Sequence, residues 1–378
     1  MKRNRTIISL CITVFIIFCT SSCRKSDNEN IKPQPTPSQV IENNLKAVLD
    51  SVLANTHVPG LVAGIWAPNE GVDLVYAAGV ADLETEAPMS ADMIFRIASN
   101  TKTFSITVLL QLVDEGLLSL DDLLSKYFPD FPRADEVTIE MLANMQSGIF
   151  DYYESEEVIT ILYSDPTHLW TSDEIITIAA LYPYYFDPGT GYHYSNTNTI
   201  LVGMIIKMVT GMSLEYNIST RIIDPLNLVN TVYLVGGTQI PGFHSCGYYV
   251  EDYDTTLPEL SEHLDVSRFG AAGSMVSKLH ELRIFAEALT DGTFLSVDLQ
   301  QKRMNCLDLG NGAGYGMGLL KYNEFYGHNG EVEGFTSLMM NAPTRNCTIV
   351  IWYNCDLEDA NPTSLLSLIP KIIYSNMN

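Results

Sequence analysis

The sequence predicts an α/β domain of the α+β kind, an antiparallel sheet flanked by helices with a mainly helical subdomain inserted into its middle connection. Three observations predict it. Strand-like apolar runs sit near both ends: Leu61 to Ala67 and Val72 to Ala78 early, then Tyr315 to Leu320, Phe335 to Met340 and Cys347 to Tyr353 late. Between them, from Leu117 to about His263, the chain is helix-like but broken by Pro129, Pro132, Pro166, Pro183, Pro188 and Pro225, which suits a helical region with long functional loops. Hydrophobic residues make up 46% of the 378 positions and charged ones only 17%, enough for a sizeable core and too few charges for a disordered chain.

The first segment reads as an address. Met1 to Arg5 is basic, Ile7 to Cys19 is apolar, and Thr20-Ser21-Ser22 are small. The apolar run falls short of the roughly 20 residues that span a bilayer. Residues 1–22 are therefore expected to be an export signal, and Cys23 directly after them resembles the lipidated cysteine of a bacterial lipoprotein. Residues 23–38, with Pro33, Pro35 and Pro37, form a tether, and 39–378 the folded body. The expected location is the cell envelope, lipid-anchored, facing periplasm or surface.

Within the body, Ile41, Leu45, Val48, Leu49, Val52 and Leu53 recur at helical spacing, predicting a helix over 39–55. Pro68-Asn69-Glu70-Gly71 splits the two early strands as a hairpin. Thr103 to Glu115, closed by Gly116, reads as a buried helix, Ser274 to Leu289 as another, and the tail from Ser364 to Tyr374 as a helix interrupted at Pro370. The net charge of −24 repels phosphate backbones, so no nucleic-acid partner is expected. Cys246, Cys306, Cys347 and Cys355 of the body permit up to two disulfides or none. The histidines show no metal-ligand spacing, and neither metal nor organic cofactor is expected.

Three short motifs carry chemistry. Ser99 and Lys102 stand three apart where a strand-like run meets a helix, so their side chains share a face. A serine hydroxyl needs a neighbour to take its proton, and a lysine does this once burial lowers its pKa. Tyr194-Ser195-Asn196 offers a phenol able to shuttle a proton and an amide suited to a substrate amide. His328-Asn329-Gly330 precedes Glu331; Gly330 allows close approach of a strand edge, and the backbone N–H of Glu331 could pair with that of Ser99 as an oxyanion hole.

In this order the three motifs resemble the serine beta-lactamase and penicillin-binding-protein superfamily, in its class C branch with the secreted D-alanyl-D-alanine carboxypeptidases and related esterases. Phe95 to Pro132, Met145 to Tyr152, Ala272 to Ser277 and Gly327 to Phe335 are similar to that family as well. The resemblance implies a beta-lactamase/transpeptidase-like fold and an acyl-enzyme mechanism. Ser99 would be the nucleophile, Lys102 and Tyr194 would handle its proton, and His328 would polarise the tyrosine. Asn196, Gly330, Glu331, Phe150 and Tyr152 would contact substrate, a peptide or beta-lactam-like small molecule.

The first expectation is a carboxypeptidase acting on D-Ala-D-Ala-type peptides. Esterase or amidase action on uncharged substrates is the alternative, followed by beta-lactamase action and a penicillin-binding sensor that does not turn over. One departure separates the first two. Leu320 stands where a peptidase arginine is expected, Lys321 is the only basic residue between Arg303 and His328, and Glu331 and Glu333 flank the site. Both glutamates are expected to face solvent.

Overall fold

The computed structural model describes residues 34–249, 259–356 and 362–375; the expected export signal, Cys23 and most of the expected tether lie outside the described residues. Helix α1 (Pro37–Asn55) buries Ile41, Leu45 and Leu49, a stripe at intervals of four that lays one face on the sheet. The sheet has nine strands: β1 (Gly60–Ala67), β2 (Val72–Asp82), β3 (Ala87–Pro88), β4 (Leu307–Gly310), β5 (Ala313–Gly316), β6 (Leu319–Tyr322), β7 (Phe325–Val332), β8 (Phe335–Ala342) and β9 (Cys347–Tyr353). They run antiparallel in the order β3-β2-β1-β9-β8-β7-β6-β5-β4, so the first and last strands of this sheet in chain order pair side by side in its interior.

The central strands read as continuous apolar runs because both faces are covered. Along β1, Leu61, Ala63, Ile65 and Ala67 enter the core shared with α1, while Val62 and Trp66 enter the larger core on the opposite face. The same alternation divides Cys347, Ile349, Ile351 and Tyr353 of β9 from Val350 and Trp352. The register, with Ile65 opposite Ile349, follows from it, since a slip of one residue would exchange the faces.

Helix α2 (Thr101–Asp114) is buried all round from Thr101 to Leu110, and helix α3 (Asn196–Thr210) packs against it. The polar residues of α2 are satisfied locally: Thr103 Oγ1 donates to Asn100 O (2.6 Å) and Ser105 Oγ to Ala271 O (2.8 Å).

The structure departs from the sequence expectations in four places. Ser274 to Leu289 is not one helix: Met275–Ser277 is a short strand paired with Phe95–Arg96 and Val232–Tyr233, and helix α4 (Leu279–Thr290) starts after it. Tyr315 to Leu320 is not one strand but the hairpin joining β5 and β6, turning at Gly318 with φ of 75°. β7 was expected only as a strand edge at Gly330, and its extent went unread because its Tyr-Gly-His-Asn-Gly core lacks an apolar alternation. In the tail, Pro370 lies in the first turn of helix Ile369–Ile373, where its missing N–H costs nothing, instead of interrupting it. Among the described residues Cys246, Cys306, Cys347 and Cys355 are free thiols.

Candidate active site

The turn Ala98–Asn100 carries Ser99 into α2. Ile97 N donates to Met275 O (3.0 Å), Asn100 Nδ2 donates to Ile97 O (3.1 Å) and to Ser337 Oγ (2.9 Å), and Ser337 Oγ donates to Ile97 O (3.0 Å). This network over-determines the backbone and holds Ala98 at φ of 50°, a left-handed conformation that costs about 1–3 kcal/mol in an alanine. The strain sits next to a half-buried serine, at the mouth of a cavity of about 320 Å³.

One turn into α2, Lys102 Nζ lies 2.9 Å from Ser99 Oγ and donates also to Ala272 O (2.9 Å). Its side chain is fully buried. Burial pushes its pKa down to about 7, with the Asp151 carboxylate acting in the opposite sense. Nζ stands 4.8 Å from the centre of the Tyr194 ring. Tyr194 immediately precedes the N-cap of α3, Ser195, and its buried hydroxyl has no well-formed hydrogen bond among the described residues. Burial raises this phenol far above the usual tyrosine range, offset partly by the Ser99 hydroxyl, so it stays protonated. Asn196, the first residue of α3, donates through Nδ2 to Asp151 Oδ2 (2.9 Å).

His328 is buried on β7, its ring centre 6.0 Å from that of Tyr194. Nδ1 contacts the Asn329 carbonyl, which can only accept, so the proton sits on Nδ1 and Nε2 faces the Tyr315 hydroxyl at 3.4 Å. Burial, then the Lys102 charge, push His328 down to about 3, and the ring is neutral at physiological pH. β6 pairs with β7 only as far as Gly327, leaving the edge from His328 to Val332 beside the serine turn. Gly330 makes this possible: a β-carbon there would stand 2.3 Å from Ile97 O and 3.0 Å from Ala98 Cβ.

Ser99, Tyr194, Asn196, Gly330, Glu331 and Tyr152 therefore line one cavity, with Tyr153, Phe269, Ala272, Gly273, Asn329 and Val332. Phe150 does not: its ring stacks on Tyr182 (4.1 Å) and Tyr185 (5.5 Å), away from the opening. Glu331 is exposed at the rim, but Glu333 does not face solvent as expected. It is paired with buried Arg268 and accepts from Tyr153 Oη (3.1 Å). The sequence reading missed Asp151, Arg268, Tyr315 and the Ala272 carbonyl. Asp151 lay within the family-like stretch Met145 to Tyr152, which was the available signal.

A serine on a strained turn, a lysine with a depressed pKa bonded to it and a protonated phenol beside both define a serine hydrolase site. The family profile Beta-lactamase matches residues 45–368. The chain is 24% identical to Penicillin-binding protein 4* of Bacillus subtilis, over 81% of this chain and 71% of that protein. It is 30% identical to Protein flp of Staphylococcus aureus over 200 residues, but spans only 38% of that protein's length. Among solved structures, a D-stereospecific amidohydrolase from Streptomyces sp. is 28% identical with a TM-score of 0.76, covering 83% of this chain and 94% of that one. The D-amino acid amidase of Ochrobactrum anthropi SV3, complexed with L-phenylalanine amide, is 27% identical with a TM-score of 0.76, covering 89% and 99%. The chain belongs to the beta-lactamase family of serine hydrolases, and its fold is that of the beta-lactamases and transpeptidases.

Proposed function

We propose that this protein hydrolyses an amide, or an activated ester, through an acyl-enzyme on Ser99, and that its substrate is small and carries no carboxylate at the leaving side. The contact of Lys102 Nζ with Ser99 Oγ at 2.9 Å carries the mechanism. With its pKa near 7, an appreciable fraction of Lys102 is neutral at physiological pH and accepts the Ser99 proton as Oγ attacks the carbonyl. Tyr194, protonated and adjacent, relays a proton to the departing nitrogen and regains one through Lys102. The backbone N–H groups of Ser99 and Glu331 hold the oxyanion. The amine leaves, a water attacks the ester, the acid departs, and the hydroxyl of Ser99 is restored.

The carboxypeptidase expectation yields here to the amidase alternative because of the cavity's lining. Among the described residues no arginine, lysine or histidine lines it and Glu331 is the one carboxylate that does, so a substrate carboxylate meets no cationic side chain there, whereas a neutral or cationic substrate meets no repulsion. The likeness to a D-amino acid amidase and a D-stereospecific amidohydrolase supports the same reading. Export, lipidation of Cys23 and an envelope location are proposed with it.

The test is a panel of D- and L-amino-acid amides, a short-chain ester, an acyl-D-Ala-D-Ala peptide and a penicillin, run against wild type and Ser99→Ala with intact-protein mass measurement. Amide or ester turnover exceeding peptide turnover, lost in Ser99→Ala, is expected. Faster release of D-Ala from the peptide would return the carboxypeptidase reading. Absence of any adduct or turnover would remove the proposal altogether.

A further inference from the structure

We infer that Asp151 is a positioning residue for this reaction: one carboxylate oxygen fixes the amide of Asn196 in the cavity wall while its charge balances the buried Lys102. The inference rests on the proposed acyl-enzyme function and deepens it.

Asp151 is 5% exposed and caps the short turn Tyr152–Glu154, where Oδ1 accepts from Tyr153 N at 3.1 Å. A capping role needs only that oxygen. The second, Oδ2, accepts from Asn196 Nδ2. Neighbouring bonds stitch the segment to the start of α3: Thr197 Oγ1 donates to Phe150 O (2.7 Å) and Tyr152 N to Thr197 Oγ1 (3.0 Å). A carboxylate cannot donate, so Asn196 must turn its NH2 group toward Asp151. That choice leaves Oδ1 and the second N–H of Asn196 for substrate, and it removes the alternative flipped amide.

Burial pushes the Asp151 carboxyl above its usual range, and the bonds from Tyr153 and Asn196 and the Lys102 charge act against that, favouring the carboxylate. Among the described residues the other titratable groups around the pair are Glu154, the phenols of Tyr152, Tyr185 and Tyr194, which burial keeps protonated, and His328, which burial keeps neutral. Asp151 is the group whose charge supports the ammonium form of Lys102, so removing that charge disfavours the ammonium.

Two variants of the full chain separate the roles. In Asp151→Asn the new amide still offers an oxygen to Asn196 but no charge; in Asp151→Ala both are lost. The rate of Ser99 acylation is followed by mass from about pH 5 to 9, with urea unfolding of each variant. For Asp151→Asn the acid limb should move to lower pH by roughly half a unit or more. For Asp151→Ala acylation should fall about tenfold or more, and Asn196→Ala added to it should cost little further, because the two act as one unit. An unmoved limb in Asp151→Asn, or losses in Asp151→Ala and Asn196→Ala that multiply, would reduce Asp151 to a cap and overturn the inference. If Asp151→Ala does not fold, the limb of Asp151→Asn decides alone. A wild type that never acylates at Ser99 removes the proposed function and this inference with it; a labelled wild type beside an unmoved limb removes only the inference.

Discussion

Gly330 passes so close to Ile97 that a β-carbon on it would stand 2.3 Å from the Ile97 carbonyl oxygen, well inside any permitted contact. The same carbonyl accepts from Asn100 and Ser337, so it cannot swing away without loosening the turn that holds Ser99. Gly330→Ala should thus displace the strand edge from the nucleophile. Overpacking of this kind costs about 1–3 kcal/mol, so a lowered melting temperature with a disproportionate loss of Ser99 acylation is expected. Unchanged acylation in a folded variant would show that the approach of β7 is not needed.

The proposed mechanism requires Lys102 to change protonation state. Its pKa of about 7 places the rise of acylation rate with pH near neutrality, the neutral amine above that point being the active form. Lys102→Arg keeps the charge but cannot give up its proton, so acylation should fall by about 10²–10⁴. A pH-rate profile of labelling on both proteins checks this; a flat wild-type profile through pH 7 would contradict it.

His328 makes the fold acid-sensitive. In the unfolded chain it takes up a proton near 6.5, whereas burial holds it neutral in the folded protein down to about 3. Between these values the unfolded state binds more protons, so stability is present above 6.5 and drains away as pH falls toward 3. Urea unfolding at pH 4 and 7 should show a larger loss for wild type than for His328→Asn.

Arg268 and Glu333 form a buried ion pair behind Tyr153 and Phe269, which line the cavity. Arg268 Nε and Nη1 have no hydrogen-bond partner among the described residues, so its charge depends on Glu333. Glu333→Gln leaves a buried cation uncompensated, and a loss of about 3–5 kcal/mol is expected by chemical denaturation. The double change Arg268→Met with Glu333→Leu removes both charges and should lose less than Glu333→Gln alone.

Lipidation is tested at Cys23. Expressed with its full leader in a bacterial host, the protein should incorporate labelled palmitate and partition with membranes, and Cys23→Ser should lose the label. Label retained in Cys23→Ser would place the acyl chain elsewhere or leave the leader an ordinary signal.

The chemistry was legible where it is local. Ser99 and Lys102 are one helical turn apart, so their spacing alone put hydroxyl and ammonium on one face. The hairpin of β1 and β2 and the strands β8 and β9 were readable because apolar residues fill consecutive positions between turn formers. β7 was legible only at Gly330, because its residues answer to what they touch: glycines where backbones crowd, and a histidine whose ring lies near those of Tyr194 and Tyr315.

Position and environment belonged to the tertiary structure. Nothing in the local sequence at Glu333 announces that Arg268 will neutralise it, nor at Phe150 that its ring will stack on Tyr182 instead of reaching substrate. Residue types and their order along the chain determined which reaction family this protein joins. Burial and the convergence of distant segments decided which lysine is stripped of solvent, which amide is fixed and which charged groups face the cavity, because solvation and Coulomb terms depend on what surrounds a group in space.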